Sequence, residues 1–76
     1  MKDLFIDALK RKYEAEIAAG KATARGYFEK PVAIGEHPQF LDEVDKVLTK
    51  ISNAEENFKT LSKHFDDSVD DDDIPF

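Results

Sequence analysis

The chain has no cysteine among its 76 residues. That absence excludes a disulfide framework and any metal site built on thiolates. It also lacks an apolar run long enough to span a bilayer. The opening, MKDLFIDALKRK, is no secretory signal, being too charged, too polar after Leu9 and without a small-residue cleavage site. The expectation is a soluble protein of a reducing interior, hence cytoplasmic. A chain this short makes one small domain with a modest core, so it depends on well-formed helix packing or on oligomerisation.

The other thing missing is a net charge on most of the chain. The overall charge is −6, yet residues 1–65 hold all 11 Lys and Arg and only 11 of the 17 Asp and Glu. The remaining six acids, Asp66, Asp67, Asp70, Asp71, Asp72 and Asp73, fall in the last 11 residues with no base among them. The chain therefore divides into a neutral body, 1–65, and an acidic tail, 66–76.

In the first part of the body Ile6, Leu9, Tyr13, Ile17, Gly20, Ala24 and Tyr27 recur at steps of three and four, the period of one helix face. No proline interrupts them, and Ala, Lys and Glu favour a helix over about 3–29. Gly20 lies on that face, where a missing side chain suits close approach of a partner helix. Pro31 disfavours helix in the residue before it, and Pro38 suits the first position of a new helix. Val32 and Ile34 are expected to cover the end of the bundle. A second helix over about 38–65 carries the stripe Leu41, Val44, Leu48, Ile51, Phe58, Leu61 and Phe65, with Val47 and Ala54 beside it. Glu55 falls where a further apolar residue is due. Asp42, Glu43 and Asp45 near its start and Lys59, Lys63 and His64 near its end complement the helix dipole.

The fold expected is all-α: an antiparallel helix-turn-helix hairpin, coiled-coil-like, with a disordered acidic tail. With no third element, half of each stripe stays wet, and a homodimeric four-helix bundle would cover it, a monomeric coiled-coil pair being the alternative.

The body offers little chemistry. His37 and His64 lack paired ligands at helical spacing, and no nucleophile constellation, phosphate loop or HExxH motif occurs. The helical carboxylates read as solvated faces, because acid and base pairs need a cleft to tune them. The expectation is a non-enzymatic protein with no catalytic residue, no metal and no cofactor. Lys10, Arg11, Lys12, Lys21 and Arg25 make the first helix mildly basic and are the candidate nucleic-acid contacts. Residues 1–30 carry seven bases against five acids, a thin surplus for phosphate binding. Tyr13, Tyr27 and Phe28 are better explained by packing than by base stacking.

The tail is the informative segment. Asp70, Asp71, Asp72 and Asp73 precede Ile74, Pro75 and Phe76. A segment serving only solvation has no need of those last three. Pro75 fixes its own φ and biases Ile74 toward extended backbone. A receptor could bury the Phe76 ring, clamp a carboxylate on the same residue and attract the aspartates with a basic rim. This segment, DDDIPF, resembles the acidic tip of bacterial single-stranded DNA-binding proteins. The resemblance implies a docking peptide for nucleases, helicases or primase, with Pro75 and Phe76 carrying recognition and Asp70 to Asp73 adding electrostatic attraction. It covers the tip alone, since that family's DNA-binding barrel of β-strands has no counterpart here.

The body is itself similar to a family. YFEKPVAIGEHPQFLDEVDKV followed by NAEENFKTLSKHF resembles the small helical proteins encoded beside the UvsW recombination helicase in T4-like bacteriophages. That resemblance implies a setting in phage recombination, repair and replication, the host cell cytoplasm as location, and the UvsW helicase as a partner to consider. It supplies no catalytic residues. The leading expectation is an adaptor that displays a mimic of the single-strand-binding tip. The alternative is a weak single-stranded DNA binder whose acidic tail occupies its basic face. An Ile-x-Phe ending also fits the ligands of PDZ domains and proteolytic adaptors, although the dense aspartates fit them less well.

Overall fold

A computed structural model describes residues 2–29, 39–66 and 76. Two helices make up the described body: α1, Lys2–Glu29, and α2, Gln39–Phe65. They pack side by side and antiparallel, as an all-α hairpin. Tyr27 meets Phe40 at the turn end, their rings edge to face at 5.5 Å. At the opposite end Lys10 reaches Asp66, just beyond α2. The molecule measures 50 × 23 × 16 Å, which is two helices wide and little more than one deep.

Local chemistry explains the limits. α1 ends at Glu29, two residues short of Pro31, and α2 begins directly after Pro38. Asp42 stands in the first turn of α2 and Lys63 and His64 in its last, where each charge opposes the helix dipole. α1 has Asp3 in its first turn but no base in its last. The readings of Val32, Ile34 and His37 in the turn lie outside the described residues, as does most of the acidic tail, 67–75. Asp66 and Phe76, the tail's two described residues, are both half-buried.

The core is a narrow seam. Ile17, Ala24, Val44, Ala54 and Phe58 are its buried hydrophobics. On α1 the face expected from the sequence is the one that packs, with one change. Leu9 is exposed, and Lys10 takes the seam position as a half-buried residue. On α2 the seam is rotated from the expected stripe. It runs through Phe40, Val44, Val47, Ile51, Ala54, Phe58 and Leu61, all buried or half-buried, at alternating steps of four and three. Leu41, Leu48 and Phe65 lie off it and are 68%, 47% and 59% exposed. Two helices bury only one seam between them, and the apolar arc of α2 is wider than that seam. Ala54 fills the level where Glu55 seemed to interrupt the stripe, and Glu55 lies half-buried at its edge.

Gly20 makes the two helices meet closely. A Cβ built on it would lie 2.5 Å from Ile51 Cγ1, well inside van der Waals contact. Its flatness lets the Ile51 side chain sit against the α1 backbone. Nothing comes within 4 Å of the same point on Gly26.

Candidate functional site

The cations proposed from sequence as nucleic-acid contacts do not form one free basic surface. Lys10 donates from Nζ to Asp66 Oδ2, both side chains being mostly buried at the seam. Arg11 donates from Nε to Asp7 Oδ2 at 2.8 Å, and Lys12 from Nζ to Glu16 Oε1 at 2.6 Å, one helical turn away in each case. The hydrogen bond to Asp7, then its charge, raises the Arg11 pKa above its ordinary value, and Glu16 acts on Lys12 in the same order. Both groups are cationic at neutral pH in any case, so the shifts report their pairing. Lys12 Nζ also lies 5.6 Å from the centre of the Tyr13 ring. Lys21 and Arg25 are exposed further along α1. Two of the five cations are thus presented outward with no carboxylate engaged among the described residues.

Of the residues proposed for partner binding, Asp70, Asp71, Asp72, Asp73, Ile74 and Pro75 lie outside the described residues. Phe76 is described, and its ring lies against the hairpin. It meets the Phe58 ring edge to face, with centroids 5.1 Å apart and planes at 82°. That is a favoured geometry for two aromatic quadrupoles. Lys59 Nζ lies 5.9 Å from the centre of the Phe76 ring, and Lys10 Nζ the same distance from the centre of Phe58. Both are within cation–π range. Phe76 also borders a shallow recess of about 180 Å³ whose other walls are Glu14, Ile17, Ala18 and Lys21 of α1.

No protein-family model, curated protein or solved structure matches the chain.

A second open groove, about 420 Å³, is lined by Glu16, Ala19, Gly20, Thr23, Val47 and Lys50. Thr23 donates its hydroxyl to the Ala19 carbonyl at 3.0 Å. Among the described residues no group of three or more His, Cys, Asp or Glu is placed to hold a metal ion. No helix among them is long and apolar enough to cross a membrane.

The surface beneath Phe76 was not visible in the sequence. Phe58 reads there as an ordinary core residue, and so it is, at 4% exposed. That one of its neighbours is Phe76, 18 positions along the chain, follows from tertiary placement and leaves no periodic trace. The sequence marks Lys10 as a surface cation, because lysine is seldom found in a core. Its partner Asp66 lies 56 positions away.

Proposed function

We propose that this protein is a non-enzymatic adaptor of phage DNA recombination, repair or replication. It docks DNA-processing proteins through the segment from Asp70 to Phe76, in the manner of a single-strand-binding-protein tip. The observation that carries the reading is that segment's composition: four aspartates followed by Ile-Pro-Phe. A charged approach guides the segment to a basic rim, and an apolar anchor then fills a pocket.

The body supports this reading by what it provides. Its long, narrow hairpin has a charge-balanced sequence, and the recesses described along it are open and shallow. Such a body presents a peptide better than it encloses a substrate. The engagement of Lys10, Arg11 and Lys12 by carboxylates within the chain favours docking over DNA binding by the same helix.

The test is titration calorimetry of the full chain into a nuclease known to take single-strand-binding tails, at low and at physiological salt. The proposal expects binding that weakens as salt screens the aspartates and weakens again when Asp70 to Asp73 are replaced by Asn. Absence of binding at both salt concentrations would reject it.

A further inference from the structure

Phe76 is the residue on which docking depends in the proposed function, and its ring is already held. Its edge-to-face contact is with a buried core ring, Phe58. A cation, Lys59, stands within range of its π face, and Ile17, Ala18 and Lys21 line the open recess that the ring borders. These are the parts a receptor for such a segment needs: an aromatic floor, an apolar side and cations around it to meet acids. Lys10, above Phe58, adds a third cation and binds Asp66, the first acid of the tail. These cations suit a ring that follows a run of acids in the sequence, with Glu14 as the acid among the described residues on the recess wall.

We propose that the hairpin carries its own receptor for the Phe76 ring, formed by Phe58, Lys59 and the Ile17–Lys21 side of α1. This receptor holds Phe76 in cis and competes with outside proteins for it. The contact stands independently of the docking proposal, whereas its consequence, a self-limited affinity, rests on that proposal. An outside receptor meets only the fraction of molecules in which Phe76 is released, so its apparent dissociation constant rises by the inverse of that fraction. A ring held in nine molecules of ten weakens docking by about tenfold. The same site is built to accept another acidic segment ending in phenylalanine, offered in trans.

The experiment uses the full chain in two arms. In the first, isotope-edited NMR of the wild type should give nuclear Overhauser contacts from the Phe76 ring to Phe58 and Ile17. Phe76→Ala should shift the signals of Ile17, Ala18, Lys21, Phe58 and Lys59 while leaving Tyr27 and Phe40 at the far end unmoved. Missing ring contacts, or no shift at those five residues, overturn the proposal. So do contacts that arise between labelled and unlabelled copies in a mixed sample, because the occupant would then be a second chain. In the second arm, Lys59→Glu should loosen the ring and tighten binding to a tail-recognising nuclease by about three- to tenfold. If Lys59→Glu abolishes the ring contacts yet leaves that affinity unchanged, the competition is refuted. If the ring contacts persist and neither protein binds the nuclease, the docking proposal fails while the intramolecular site stands.

Discussion

Gly20 on α1 and Ile51 on α2 meet so closely that a single added carbon would collide. The Cβ position of Gly20 is 2.5 Å from Ile51 Cγ1 and 3.0 Å from Ile51 Cδ1. A glycine inside a helix is unfavourable by about 1 kcal/mol relative to alanine. Here that loss is offset by the packing of Ile51 against bare backbone. The hairpin's other helical glycine, Gly26, has open space in the same direction.

The two glycines should therefore respond oppositely to alanine. Gly26→Ala should stabilise the fold by about 0.5–1 kcal/mol, read as a rise in melting temperature of several degrees. Gly20→Ala gains the same propensity but must push Ile51 aside, an overpacking that typically costs about 1–3 kcal/mol. It should be destabilising overall. Adding Ile51→Ala should recover part of the loss, so the two changes should be non-additive in a double-mutant cycle. Thermal unfolding of the four proteins by circular dichroism checks both statements.

Lys10 offers a second test. Its pair with Asp66 joins the third turn of α1 to the residue just beyond α2, and both side chains are about 15% exposed. Lys10→Ala removes the cation and its packed stem and leaves the Asp66 carboxylate near the negative end of the α2 dipole. It should cost about 1–2 kcal/mol, between the values for exposed and for fully buried pairs. Lys12→Ala, which breaks an exposed pair within one helix, should cost less. Urea denaturation ranks the two variants.

Ser62 is 2% exposed, and its hydroxyl has no hydrogen-bond partner among the described residues. Removing an unpaired buried polar group and substituting a better helix former both favour Ser62→Ala. The variant should be more stable than the wild type by about 1 kcal/mol. Loss of stability on the same change would mean that the hydroxyl has a partner in solution.

Much of the fold was legible because helices advertise their period. The sequence placed the α1 face through Ile6, Leu9, Tyr13, Ile17, Gly20, Ala24 and Tyr27, and all of these but Leu9 turn inward, with Lys10 in its place. On α2 it failed by a rotation, because Leu41, Leu48 and Phe65 are as apolar as the residues that won. Periodicity marks an arc and does not say which line within it a single partner covers. The seam follows Val47 and Ala54, whose smaller side chains let α1 approach. The contact of Phe76 with Phe58 belongs to a different category. It joins a sequence motif to a core ring through placement in space, and neither residue's neighbours foretell it.

The apolar surface left outside the seam bears on assembly. Leu41 and Leu48 stand seven residues apart on one side of α2 and are largely exposed, as are Phe28, Leu4 and Phe5 on α1. A second hairpin laid on the Leu41 and Leu48 side of α2 would cover those two residues as part of a four-helix bundle. Sedimentation velocity over a range of concentrations should show self-association that Leu41→Ser with Leu48→Ser weakens. A monomer at every concentration would exclude the dimer.

The role of Phe76 is tested by a competition. A labelled single-strand-binding tail peptide, bound to a nuclease that recognises it, is challenged with the full chain and with a version lacking Phe76. Docking through Phe76 requires displacement by the full chain and none by the shortened one, with the midpoint moving to higher protein concentration as salt rises. Failure of the full chain to displace the peptide, or equal displacement by both, would contradict the role given to Phe76.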